Sequence, residues 1–181
     1  MSRLLTVDPA TASGKSKELL AAVQAKLGLT PNMTRVMANS PAVLESYLAF
    51  SGALAGGLLD AKLREQLALI TAQTNHCDYC LSAHTAIGKM VGLKSEQIAG
   101  ARKGESSNSK TAAALAFTAH LLDTRGEISE SNLAAVRAAG FSDGEIAEII
   151  AHVALNVFTN YFNIAADVDI DFPKVSYSEV A

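Results

Sequence analysis

At 181 residues, with 18 acidic against 15 basic side chains and a formal charge of −3, the chain has the length of one substantial domain and lacks the basic balance of a nucleic-acid or anionic-membrane binder. Some 49% of it is apolar, only 18% is charged and mean hydropathy is +0.20, which supplies one core and leaves apolar surface to bury between subunits. The expected ligand is therefore a small molecule. Residues 1–9 hold no sustained apolar stretch of the kind a secretory leader carries, and no uncharged apolar run is expected to reach the ~18–20 residues of a spanning helix. A cytoplasmic location follows as the expectation, with neither nucleic acid nor membrane as partner.

Taken in order, Ser16 to Leu27 reads as an amphipathic helix, with Leu19, Leu20, Val23 and Leu27 on one face and Gly28 as its stop. After the turn at Thr30-Pro31-Asn32 and a short helical piece from Met33 to Ala38, Ser40 and Pro41 are placed to cap and start a helix that runs to about Leu54. Gly56-Gly57 breaks the pattern. Asp60 is then the N-cap of a segment from Ala61 to about Thr74 whose apolar residues cover most of its circumference, as in a buried helix. Asn75-His76 interrupts, and a helix from about Asp78 to Val91 stops at Gly92. Ser95 is expected to cap a short helix to Ala101, and Lys103 to Lys110 to form an exposed loop. Further helices cover Thr111 to Asp123 and, from the cap Ser129, about Ala139. Ser142 and Glu145 have capping-box spacing and open a long apolar segment to Ala166. The tail, 167–181, is expected to lie irregularly on the surface. Strand alternation is nowhere sustained, so the fold class is all-α: a helical bundle of eight or nine helices in a single domain over 1–181, with its core at about 35–172.

The chemistry is concentrated in the segment from Asn75 to His84. It holds both cysteines, Cys77 and Cys80, and a histidine four residues after the second. At about 100° per helical residue, Cys80 lies roughly 60° from Cys77 and His84 within roughly 20° of it, so all three share one face. Thiols three apart on a helix sit roughly 5 Å apart at Cα, within disulfide range, yet so short a loop adds little stability. Reversible redox chemistry explains the spacing better than a structural staple. A helix start near Cys77 favours its thiolate, whereas His84 can take the proton of Cys80. The nucleophile is thus assigned to the pair, with a lean to Cys80. If the chain reverses at Asn75-His76, Glu65 comes level with about Ile87, within one turn of His84, where a carboxylate raises imidazole basicity and fixes its tautomer.

These residues carry a resemblance. Glu65, then Cys77 twelve residues on, Cys80 and His84, together with Arg64-Glu65-Gln66 and the stretch from Asn156 to Asp169 around Asn160-Tyr161-Phe162-Asn163, resemble the alkylhydroperoxidase D family within the carboxymuconolactone decarboxylase superfamily over roughly residues 35 to 172. The resemblance implies an all-helical subunit in a homo-oligomer, a trimer or hexamer, that reduces hydroperoxides as a peroxidase. One cysteine becomes a sulfenic acid, the other condenses with it to a disulfide, and an external dithiol reductant or adaptor protein restores the pair. Glu65 and His84 match the family's proton-relay positions. Some members place another histidine between the cysteines; here Asp78 and Tyr79 stand there. No cofactor is called for.

Each residue also has a plainer role open to it. The cysteines have the alternative of small buried apolar residues, His84 of a core histidine bonded to a carbonyl, Glu65 of a solvated acid beside Lys62 and Gln66, and His76 of a turn residue. Other functions remain open at this stage. They are a zinc site of Cys77, Cys80 and His84 with His76 or Glu65, a decarboxylase or lactone-acting enzyme that would not need the two thiols, and a peroxide sensor that does not turn over.

Overall fold

The computed structural model describes residues 2–179, so Met1 and the last two residues of the expected tail lie outside the described residues. Among those described there are nine α-helices and no strand: α1 (Gly14–Leu27), α2 (Asn32–Met37), α3 (Pro41–Ala55), α4 (Ala61–Thr74), α5 (Asp78–Met90), α6 (Ser95–Arg102), α7 (Ser109–Asp123), α8 (Glu130–Ala138) and α9 (Asp143–Ala166). The all-α expectation is met.

The hub is α4. Its all-round apolar composition is used as such, because α5, α6, α7 and α9 all pack on it and Leu67, Leu69 and Ala72 are fully buried. Asp60 caps it as anticipated, accepting from Leu63 N at 3.0 Å. Beneath α3 the loop at 56–60 is tied to α9 by Glu148, whose carboxylate accepts from Leu58 N at 2.8 Å and Leu59 N at 3.1 Å. Gly57 faces that carboxylate so closely that any Cβ there would collide with it. The capping box of α9 is present: Ser142 N donates to Glu145 Oε2 at 2.7 Å and Glu145 N to Ser142 Oγ at 3.2 Å.

Two expectations need correction. Ser95 is the first residue of α6 rather than its cap; the N–H of Lys94 is instead taken by Gln97 Oε1 at 3.0 Å. The segment 149–166 contains no Asp, Glu, Lys or Arg, and α9 has the length and mean hydropathy, 1.3, of a spanning segment. Half of that stretch is buried inside the fold, where its inner face presents His152, Asn156, Thr159, Asn160 and Asn163. A run of amide side chains on one face is suited to a protein interior with polar business, and the apolar average conceals it. The tail runs irregularly over the surface as expected, and it is anchored there. Val168 is buried, Phe172 meets the Tyr79 ring edge-on at 5.8 Å, and Tyr177 N donates to Asp78 Oδ1 at 2.8 Å. Val175 N donates to Ser82 Oγ at 2.9 Å, while Arg102 Nη2 reaches Ser176 O at 2.8 Å. Irregular backbone is held here because its donors and acceptors find partners on α5 and α6.

Candidate functional site

The chain turns back between α4 and α5 at the predicted place. His76 adopts φ 57°, a left-handed conformation uncommon outside glycine, and its ring stacks on Tyr177 at 4.4 Å. His76 is thus a turn residue, directed away from the thiols by that stacking. Cys77 follows as the N-cap of α5, with extended backbone (φ −97°, ψ 94°) and its Sγ accepting from Cys80 N at 3.3 Å. A cysteine in the place usually taken by Ser or Asp satisfies one of the helix's unpaired N–H groups.

The reversal brings Glu65 to His84. Glu65 Oε2 and His84 Nδ1 are 2.7 Å apart, with 16% and 22% of their side chains exposed. Of the two roles open to Glu65, the structure shows the one beside the imidazole. Burial opposes charge on His84, but the Glu65 carboxylate, by its charge and its hydrogen bond, and the neighbouring Cys80 together raise its pKa. No hydrogen bond joins His84 to Cys80 among the described residues; their contact is electrostatic.

Both cysteines are free and buried, Cys77 at 1% and Cys80 at 3% exposure, yet their thiols are driven in opposite directions. Cys80 resists ionisation by burial, but hydrogen bonds from Cys77 and Asn163, the charge of His84 and the side chain of Asn160 outweigh it and bring its pKa down to about 7. Cys77 is pushed strongly upward, first by donating to Cys80 and then by burial. The direction of these shifts gives the lean to Cys80 a physical reason: the hydrogen bonds it receives favour its thiolate, whereas Cys77 is pushed toward its thiol form.

Several neighbours had no signal in the spacing. Asn163 Nδ2 donates to Cys80 Sγ and to Met33 Sδ, each at 3.2 Å. Tyr79, between the cysteines, accepts at its hydroxyl from Met33 N at 3.1 Å, so the residue in place of a second histidine secures the start of α2. Tyr47 on α3 lies near Cys80 and Glu65; burial, then those two charges, raise its phenol to about 12 and keep it neutral. Asn160 and Asn163 entered the sequence reading only through the resemblance, as the ends of Asn160-Tyr161-Phe162-Asn163. For Tyr47 and Met33 no local pattern existed.

For the zinc arrangement, no group of three or more His, Cys, Asp or Glu among the described residues is placed to hold a metal ion.

Comparison with known proteins bears on the family and the fold. Residues 41–123 match the family model described as the carboxymuconolactone decarboxylase family. An uncharacterized protein of Haemophilus influenzae is 49% identical over 45 residues, which amount to 24% of this chain and 40% of that relative's length. Among solved structures, the alkylhydroperoxidase AhpD core of an uncharacterized peroxidase-related protein from Ralstonia eutropha superposes with a TM-score of 0.84 at 25% identity, over 94% of this chain and 92% of that one. An uncharacterized peroxidase-related protein from Silicibacter gives 0.81 at 23% identity, over 92% and 88%. A cysteine-to-alanine variant of the debrominase Bmp8, in complex with 2,3,4-tribromopyrrole, shares the fold with a TM-score of 0.74 at 20% identity, over 86% and 84%. The chain thus carries the carboxymuconolactone decarboxylase family pattern over residues 41–123 within a fold of the alkylhydroperoxidase D type.

Proposed function

We propose that the protein is a thiol-dependent peroxidase that reduces hydroperoxides through a Cys77–Cys80 dithiol/disulfide cycle. The observation that carries this reading is the geometry of the pair: two free, buried cysteines one turn apart at the start of α5, with the Cys80 sulfur bonded by Asn163 and the Glu65–His84 pair on the same helix. In the first step the Cys80 thiolate attacks the terminal peroxide oxygen. The O–O bond breaks, Cys80 becomes a sulfenic acid, and the departing alkoxide takes a proton to leave as alcohol. His84, with its pKa raised by Glu65, is the proton donor at neutral pH. In the second step the Cys77 sulfur attacks Cys80, forming the S–S bond and releasing water. Cys77 can move because it caps α5 from outside and is not locked within a helical turn. Two electrons have then passed to the peroxide, and an external dithiol returns them by thiol–disulfide exchange.

The family's decarboxylase activity has no evident use for such a thiol pair. The outer face of α9 exposes Ile150, Phe158, Tyr161 and Ile164, and Phe50 on α3 is exposed as well. Such a surface supports a homo-oligomer, a trimer or hexamer, as the working form, and the free thiols suit a reducing cytoplasm. The test is consumption of cumene hydroperoxide with dithiothreitol as reductant. Many turnovers per subunit, lost in Cys77→Ser and in Cys80→Ser, are expected. A single stoichiometric oxidation would make the protein a sensor, and undiminished turnover in either variant would end the dithiol reading.

A further inference from the structure

Along α9, three buried polar atoms have no hydrogen-bond partner among the described residues: His152 Nε2, Asn160 Nδ2 and Asn163 Oδ1. Asn160 is 0% exposed and Asn163 3%. An unmet amide group in a protein interior costs about 1–3 kcal/mol, and buried polar groups are nearly always paired, so two such groups beside one sulfur require a reason. Their orientation is set by the bonds they do make. Asn160 Oδ1 accepts from Asn75 Nδ2 at 2.9 Å, which turns its own Nδ2 away from the α4–α5 turn. Asn163 must direct its NH2 at the Cys80 and Met33 sulfurs, because a thioether can only accept, and its carbonyl oxygen is left facing elsewhere. Asn160 Nδ2 and Asn163 Oδ1, neither with a hydrogen-bond partner, thus lie three residues apart on α9 in two amides that both act on the Cys80 sulfur.

We propose that Asn160 and Asn163 form a cradle that reads the hydroperoxide group itself: Asn163 Oδ1 accepts the peroxide O–H, and Asn160 Nδ2 donates to the oxygen that leaves. A hydroperoxide, R–O–O–H, offers that same pairing, a terminal hydroxyl donor and an inner oxygen that only accepts. An alcohol or disulfide does not. As the Cys80 thiolate attacks the terminal oxygen, the O–O bond breaks and the inner oxygen gains the negative charge; the Asn160 N–H is strongest there, at the moment of charge transfer. The alkoxide then takes its proton from His84 and leaves as alcohol, while the hydroxyl remains on the Cys80 sulfur. This inference rests on the peroxidase reading above and assigns its substrate-binding atoms.

The test compares cumene hydroperoxide reduction by Asn160→Ala and Asn75→Ala with the unaltered protein, at a pH where iodoacetamide alkylation shows Cys80 fully ionised in all three. Matching ionisation removes any effect of Asn160 on the thiolate. Asn160→Ala is expected to lose at least about tenfold in the second-order rate constant for peroxide while alkylating at the normal rate. Asn75→Ala, which keeps the Nδ2 donor but frees the Asn160 amide from the bond that orients it, is expected to lose part of the rate, and less than Asn160→Ala does. If Asn160→Ala does not fold, Asn160→Ser is read in the same way. An unchanged peroxide rate in the Asn160 variant, or a larger loss in Asn75→Ala than in Asn160→Ala, would overturn the cradle and leave the peroxidase reading standing. Absence of turnover in the unaltered protein would remove both.

Discussion

Replacing Asn163 with alanine removes one identified contact to the reactive sulfur, the Nδ2 donor 3.2 Å from Cys80 Sγ. Hydrogen bonds to a charged partner contribute about 1.5–3 kcal/mol. Here the donor group is divided between two sulfurs, so the lower end, about 1.5 kcal/mol, is appropriate. At about 1.4 kcal/mol per pKa unit, the Cys80 midpoint should move up by about one unit from its value of about 7. The thiolate fraction at neutral pH then falls from about one half to about one tenth. Alkylation of the reduced protein by iodoacetamide over a pH series, with the two cysteines resolved by peptide mass spectrometry, reads this directly. A midpoint for Asn163→Ala indistinguishable from that of the unaltered protein would refute the claim that this amide stabilises the thiolate.

Glu65→Gln tests the other side of the site. The folded state raises the pKa of His84, so the pair stabilises the fold fully below the ordinary histidine value of about 6.5, and that stabilisation is lost as pH rises through the raised value. With both groups part-exposed, a cost of about 1 kcal/mol is expected, or about 2–4 °C in thermal midpoint, at about pH 6. The difference should shrink at about pH 9; a pH-independent deficit would contradict the charged pairing. Tyr79→Phe leaves the buried Met33 N–H without its acceptor and should lower stability by about 1–3 kcal/mol in a denaturant titration. No change would mean that the N–H finds another partner.

How much of this was legible beforehand can be argued residue by residue. The reversal at Asn75-His76, the position of Cys77 at a helix start and the approach of Glu65 to His84 all follow from spacing and helix periodicity, because they involve two neighbouring helices in a hairpin. The circumference of α4 likewise announced a central helix. What stayed hidden depends on packing between distant segments. Asn163 meets Cys80 across 83 residues of chain and Met33 across 130, and no local pattern encodes such a meeting. Tyr47 belongs to the same class. The irregular surface course of the tail was legible but its anchoring was not, because scattered acids and a proline look the same whether the backbone is solvated or strapped across α5 by Asp78 and Ser82. The polar face of α9 was visible residue by residue but was averaged away in a hydropathy count.

The central claim is that Cys77 and Cys80 exchange electrons with a peroxide as a pair. Mass spectrometry of the reduced protein after one equivalent of cumene hydroperoxide tests it most directly. The account predicts a Cys77–Cys80 disulfide in each subunit, with the loss of two hydrogens, reversed completely by dithiothreitol. Two cysteines still free after exposure, or Cys80 oxidised alone with no disulfide to Cys77, would contradict it.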